Sequence, residues 1–205
     1  LNQHMLAPDD VVTGVDYDRE LDVVVVRTER ETDYEEKLQK KVRTSGCAQG
    51  TVFGDVMEGF DAIRLSGSAT IRTSWLHALT KTINTEPSLY LAAGAIHGCV
   101  LCRKDRPLVY MEDVGRHNAV DKVLGRALLE GRLSLHERAL VASGRASFES
   151  VQKAVVAGVA AVLAVGAPSS LAVELARRFD LTLAGFVRPA GFNLYSAPGR
   201  VEGQE

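Results

Sequence analysis

Long apolar runs are missing from this chain: the longest, Ala154 to Ala167, is interrupted at Gly158 and falls short of the roughly 18 residues that a membrane-spanning helix needs. No transmembrane segment is therefore expected, and no secretory signal opens the visible sequence. Cysteine is scarce too. Three thiols in 205 residues, an odd number, make no disulfide framework and fit a reducing cytoplasm. Neither sign of charge is in excess: 24 Lys and Arg stand against 26 Asp and Glu, a net charge of −2, which lends no support to broad binding of nucleic acid or an anionic membrane. Internal repeats and low-complexity segments are absent. The first residue is Leu rather than Met, so a longer gene product is expected. The chain can still bury a core as one domain, or as one domain with part of another.

Residues 1–45 read as a separate, more polar unit. Leu21-Asp-Val-Val-Val-Val26 is its one strong strand, and Glu29 to Lys41 is a charged face or linker. Gly46 and Gly50 then bracket Cys47 in a loop. A helix is predicted from Ser68, with Ile71, Trp75, Ala78 and Leu79 on one face. Beyond it the chain alternates. Strands are predicted at Leu89–Ala93, Ile96–Cys102, Leu108–Met111, Ala139–Ala142, Val159–Val165 and Leu181–Val187, and helices begin near Asn118, Ser147 and Ser169. Ser147 and Ser169 suit helix N-caps, Pro168 stands where a helix starts and Gly131 where one ends. Such alternation implies an α/β domain built on a largely parallel sheet. Ser143-Gly-Arg145, Ala167-Pro-Ser-Ser170 and Arg188-Pro-Ala-Gly191 then share the rim of strand C-termini where ligands collect.

Glu112-Asp-Val-Gly-Arg-His-Asn-Ala-Val-Asp-Lys-Val123 crowds charge, imidazole and amide around one glycine at a strand-to-helix junction. Free backbone N–H groups and the positive end of the helix dipole favour anions there, and Arg116 adds a planar fork suited to phosphate. A capped helix with a solvated first turn is the plainer reading of the same residues. Cys99-Val-Leu-Cys102 has redox or zinc spacing, yet it reads as a strand, whose positions i and i+3 point to opposite faces. Core packing is the expectation there, and His97 reads as a core histidine on the same strand.

Glu112 to Val123, Ser143-Gly-Arg-Ala-Ser-Phe-Glu149 and Ala167-Pro-Ser-Ser-Leu-Ala-Val-Glu-Leu175 together resemble the FdhD family, the formate dehydrogenase accessory sulfurtransferases. Arg43-Thr-Ser-Gly-Cys47 and Leu181-Thr-Leu-Ala-Gly-Phe-Val-Arg188 occur in the same order as their counterparts there. The resemblance implies a cytidine deaminase-like three-layer α/β/α domain over residues 46–205. Before it, residues 1–45 are implied to be the remainder of a small α+β domain, truncated at its N-terminus, with a linker. It implies a cytoplasmic, homodimeric sulfur carrier that takes sulfur from a cysteine desulfurase as a protein persulfide. The acceptor is the Mo-bis(molybdopterin guanine dinucleotide), or its tungsten analogue, of formate dehydrogenase.

By that resemblance Cys47 is the persulfide carrier, a role that asks for an exposed, mildly stabilised thiolate. Lys40, Lys41 and Arg43 can depress its pKa, and Gly46 and Gly50 let the loop turn between two partners. Many family members carry a second cysteine where this chain has Gly50, so a resolving thiol is not implied here. By the same resemblance the cofactor segment is Phe186-Val-Arg-Pro-Ala-Gly191, with Pro189 and Ala190 inside it: Arg188 for phosphate, Phe186 for a flat ring, and Gly191 for close backbone approach. Phe186 and Val187 can equally finish a core strand. A basic residue common at the end of that segment is Gly191 here, and Arg200 is a candidate to compensate. Arg116, His117 and Asn118 are expected to line the cavity, with Asp113 or Asp121 orienting His117. Glu112 reads as no more than a complement to the helix dipole. Two rivals remain. A zinc deaminase needs His-x-Glu and Pro-Cys-x-x-Cys, and the chain offers His97-Gly-Cys99 and Pro107-Leu108, so no metal is expected. The other is a non-catalytic chaperone for the cofactor, in which Cys47 is dispensable.

Overall fold

Two-residue turns force neighbouring strands antiparallel, whereas a helix between strands lets them run parallel; this chain uses both devices in one sheet. The computed structural model describes residues 10–31, 63–65, 69–85, 88–131, 135 and 138–203. It divides the chain into two compact units, Leu1–Ala62 and Ile63–Glu205. The expected boundary at residue 45 lies outside the described residues, whereas the helix expected from Ser68 starts only at Thr73, with Ile71 in a strand before it.

In the first unit β1 (Val12–Asp18) pairs antiparallel with β2 (Val23–Thr28), setting Val15 opposite Val26 and Tyr17 opposite Val24. The second strand starts two residues later than the sequence suggests. Asp18 Oδ1 accepts the backbone N–H of Glu20 and of Leu21, and Asp22 takes φ 54°. A short aspartate that bonds the backbone just ahead of it makes a turn of residues that otherwise read as strand.

The second unit opens with β3 (Ile71–Arg72) and α1 (Thr73–Thr85), then α2 (Leu89–Ala93), β4 (His97–Arg103) and β5 (Arg106–Asp113). Next come α3 (Arg116–Leu129), β6 (Arg138–Ala142), α4 (Phe148–Val156), β7 (Ala161–Ala164) and α5 (Ser170–Arg178). The chain closes with β8 (Thr182–Arg188), β9 (Gly191–Ser196) and β10 (Val201–Glu202), the last pairing with β3. The six-stranded sheet has the order β5-β4-β6-β7-β8-β9. It is mixed, not largely parallel as expected: only β6, β7 and β8 run together, through α4 and α5. The tight turns after Arg103 and Arg188 fold β5 and β9 back as antiparallel edges, and β4 meets β6 antiparallel. β9 was not among the predicted strands. Leu89–Ala93, predicted as a strand, is the short helix α2. Ser88 accepts Leu91 N–H on its hydroxyl and Ala92 N–H on its carbonyl, and Glu112 Oε2 accepts Leu89 N–H. Those local caps outweigh the strand propensity of Leu and Tyr.

Ser147 and Ser169 are N-caps as read, accepting Ser150 N–H at 3.3 Å and Ala172 N–H at 3.2 Å. Beyond the end of α3, Gly131 takes φ 66°. Helices cover both sheet faces. Val100, Cys102, Val141, Leu163 and Val187 pack with Ile71, Leu76 and Leu79 of β3 and α1, while the alternate residues Leu101, Leu140 and Leu183 are fully buried on the other side with Val120, Val123 and Val151. Each such side chain contributes about 1.5–3 kcal/mol of burial. The ends of the sheet are distinct. His97, Asp113, Ala142, Ala164 and Arg188 end at one rim, and Arg103, Arg106, Arg138 and Thr182 lie at the opposite end. No helix among the described residues is long and apolar enough to cross a membrane.

Candidate functional site

At the rim, three loops are laced by main chain. Gly166 N–H donates to Gly144 O at 3.0 Å, Ser169 N–H to Ala146 O at 3.0 Å, and Phe186 N–H to Gly166 O at 3.2 Å. A Cβ on Gly166 would stand 2.9 Å from the Arg145 nitrogen, so the loops after β6 and β7 can close only over glycine. Gly144 is hemmed in likewise: a Cβ there would meet His97 Nδ1 at 3.1 Å and Arg116 Cδ at 3.9 Å. His97 is therefore a rim residue, part-buried against Gly144, rather than a core histidine.

The segment from Phe186 to Gly191 wraps from the end of β8 into β9, with Pro189 and Ala190 as its exposed turn. The ladder breaks between Gly185 and Arg188, and within that irregularity Phe186 takes φ 54°. The left-handed backbone turns Phe186 outward, 45% exposed, while Val187 is wholly buried in the core beneath α1. Phe186 thus offers an open ring and Val187 offers a ligand no surface. Arg188 is more constrained than its sequence suggests, because one terminal nitrogen donates to Val165 O at 2.6 Å and to Val187 O at 2.9 Å. His77 on α1, which the sequence reading passed over, lies with Nδ1 3.2 Å from Arg188 O and its ring 5.9 Å from that of Phe192. Nothing in the helical pattern of α1 marks His77; it matters only through the hairpin folded onto it. Arg200 is not near this segment. It is buried at the opposite end, 2.9 Å from Asp180 Oδ2, so it cannot replace a basic residue at Gly191.

At the mouth of α3, Arg116 abuts the loop after β6 at Gly144 and His117 meets its end at Ser147. Arg116 starts the helix, where the dipole's positive end disfavours a cation. Its Nε is shielded from solvent and has no hydrogen-bond partner among the described residues. Asn118 is committed to local structure, donating to Asp113 Oδ1 at 3.2 Å. Asp113 also accepts Gly115 N–H at 2.8 Å and pairs with Lys122 at 2.6 Å. The Lys122 bond, with Gly115 N–H next, holds its carboxyl below the usual range. Asp113 therefore fixes the loop and does not orient His117. Nor does Asp121, whose partner is Lys153. Glu112 likewise ties structure together, accepting Tyr110 Oη at 2.8 Å as well as Leu89 N–H.

The partners of His117 come from the next crossover: Ser147 Oγ at 2.9 Å and Glu149 Oε2 at 3.6 Å from Nε2. Burial first, and then the charge of Arg116, lower the His117 pKa, with Glu149 opposing. An imidazole that resists protonation when folded leaves stability unchanged above its unfolded value of about 6.5 and takes stability away as pH falls from there toward the folded pKa. His117→Gln removes that slope. In chemical denaturation at pH 7 and pH 5 the wild type is expected to lose more stability than the variant; equal losses would show that His117 is not held neutral.

Cys99 and Cys102 are both buried in β4, Cys102 on the α1 face and Cys99 on the other. Desolvation pushes the Cys102 thiol up to about 12 and the Cys99 thiol higher still, so neither is a thiolate at neutral pH. They are packing residues, as their strand spacing suggested. Among the described residues no group of His, Cys, Asp and Glu is placed to hold a metal ion. Cys47, with Lys40, Lys41, Arg43, Gly46 and Gly50, lies outside the described residues. The rim as described presents Arg116, the Arg145 backbone turn and the Phe186 ring on interlocked loops, an arrangement able to take an anion beside a flat ring.

Comparison with known proteins narrows the identity. Residues 1–202 match the model of the FdhD/NarQ family. The sulfur carrier protein FdhD of Nocardia farcinica is 50% identical over 133 residues, which are 64% of this chain and 48% of that protein. That of Streptomyces coelicolor is 53% identical over 109 residues, 53% of this chain and 39% of that protein. The chain spans about half the length of the curated relatives it matches. Among solved structures, one named as a formate dehydrogenase accessory protein from Desulfotalea psychrophila superposes with a TM-score of 0.73 at 25% identity, covering 98% of this chain and 78% of that one. The chain belongs to the FdhD/NarQ family.

Proposed function

We propose that this member of the FdhD/NarQ family is a cytoplasmic sulfur carrier in formate dehydrogenase maturation, taking sulfur on Cys47 and passing it to a pterin guanine dinucleotide held at the rim. Support for the carrier role comes from the family match through the Cys47 loop and from relatives that bear the name sulfur carrier. The observation that carries the acceptor site is the solvent-shielded Arg116 Nε at a helix mouth, without a partner among the described residues. Leaving a buried cationic donor unsatisfied costs about 1–3 kcal/mol, and a phosphate of the acceptor supplies the missing partner.

In the first step the Cys47 thiolate bonds to the outer sulfur of a desulfurase cysteine persulfide, and the desulfurase thiolate leaves; thiol and persulfide exchange, and no oxidant is needed. In the second, the outer sulfur would pass to the acceptor in its reduced state, which would supply the electron pair, and Cys47 would leave as a thiolate. Arg116 and the loop after β6 would hold phosphate, Phe186 would lie against a ring of the acceptor, and His77 would hold the Arg188 carbonyl so that the hairpin presents its turn. Val187 anchors that hairpin from the core. We read the mixed sheet with helices on both faces as cytidine deaminase-like with the zinc chemistry replaced, and the working unit as a homodimer that meets a cysteine desulfurase and formate dehydrogenase in turn.

Incubation of the protein with a cysteine desulfurase and cysteine, followed by persulfide-selective alkylation and peptide mass spectrometry, is expected to place one added sulfur on the Cys47 peptide and none on Cys99 or Cys102. Absence of sulfur from Cys47 would overturn the carrier role.

A further inference from the structure

The end of the sheet opposite the rim carries a second concavity, and nothing in the sulfur-carrier reading uses it. It measures about 250 Å³ and lies between the start of α1, the β4–β5 turn and the first residues of β6 and β7. Ala69, Ile71, Leu79, Ala139 and Ala160 give it an apolar floor. Trp75, Arg103, Lys104 and Arg138 complete the wall, so the described lining has three cations and no carboxylate. In a chain whose net charge is −2, such local convergence is not a reflection of composition.

Two further observations concern the wall. Lys104 sits in the two-residue turn between Arg103 and Arg106 at φ 56°, a backbone region that costs a lysine and suits glycine. The strain is borne at a position whose side chain lines the cavity. Trp75 is the only tryptophan of the chain, and the Arg72 guanidinium stands 5.6 Å from its ring centroid, itself 3.8 Å from Glu202. An indole with cations around it suits a ligand that is flat at one end and anionic at the other. The volume lies just below the roughly 300–1,000 Å³ of ordinary ligand pockets, which suits one ring and one phosphate and is too little for a dinucleotide.

We infer that this concavity is a second binding site, specific for a small ring-bearing anion of the size of a nucleoside monophosphate and separate from the rim. β4 runs from His97 at the rim to Arg103 at the cavity, so the two sites stand about 20 Å apart at the rise of a strand. The inference does not rest on the sulfur-carrier reading.

Adenosine 5′-monophosphate and inorganic phosphate serve as probes, followed by the fluorescence of Trp75 and by calorimetry on the full chain. A saturable response to the nucleotide is expected, with inorganic phosphate binding about tenfold more weakly because the ring contact is lost. Lys104→Gly removes one cation while relaxing the turn, so the variant folds at least as stably and binds the nucleotide about tenfold less tightly; Arg103→Ala lowers affinity similarly. Phe186→Ala, at the other end of the sheet, leaves the Trp75 fluorescence response to the nucleotide unchanged. No saturable binding of the nucleotide by either method overturns the site. So does wild-type affinity in both Lys104→Gly and Arg103→Ala, or loss of the response in Phe186→Ala, which would put the nucleotide at the rim. Equal affinity for inorganic phosphate overturns the ring-bearing class.

Discussion

A strain whose only copy of this protein carries Cys47→Ala is expected to make formate dehydrogenase polypeptide with almost no formate-dependent dye reduction, a loss of about a thousandfold or more. The size follows from the chemistry. A carrier needs one sulfur atom as attachment point, and no neighbouring group can share the task. Cys99 and Cys102 are the only other thiols, and both are desolvated on opposite faces of β4 with their thiolates disfavoured. The same substitution changes no residue of the rim, so the purified variant is expected to bind guanosine diphosphate with wild-type affinity by calorimetry. That second measurement separates the two functional readings. Active formate dehydrogenase in the Cys47→Ala strain, with nucleotide binding retained, would make the protein a chaperone that holds and hands over the cofactor without carrying sulfur.

The alternation of β6, α4, β7, α5 and β8 was legible because local signals agreed with global ones: Ser147 and Ser169 cap the helices that their positions announced, and Leu140 and Leu163 lie in strands buried on both faces. Strand direction was not legible. Nothing in Gly191-Phe-Asn-Leu-Tyr-Ser196 distinguishes a returning antiparallel edge from a loop until the turn at Pro189 and Ala190 is known. The site was legible as a set of loops and illegible as a set of contacts. Arg116, Gly144, Gly166 and Phe186 belong to four segments of the sequence, and their meeting depends on the sheet order. Asp113 and Asp121 are near His117 in sequence, yet each answers a lysine. Ser147 and Glu149, thirty and more residues away, take the imidazole because α4 packs beside α3. Charge proximity along the chain is a poor guide where two crossover helices meet.

Arg116→Gln carries the other large expectation, because it opposes ligand binding and stability within one side chain. The guanidinium starts α3 at the positive end of the dipole, and its Nε is shielded without a partner among the described residues. Without ligand both features are unfavourable. Glutamine keeps much of the stem against Gly144 and removes the charge, so the ligand-free variant is expected to be more stable by about 0.3–1 kcal/mol. With ligand the balance reverses, since a charge-assisted bond to phosphate is lost and affinity for guanosine diphosphate is expected to fall about 10- to 100-fold. Arg116→Lys recovers only part of it, for a point charge lacks the planar fork. An independent readout is His117, whose pKa the Arg116 charge helps to depress. In Arg116→Gln the imidazole is expected to titrate closer to its ordinary range by NMR, which shrinks the acid-side loss of stability. A variant with unchanged nucleotide affinity and reduced stability would show Arg116 to be a strut of the helix mouth, and the anion at the rim would then need another host.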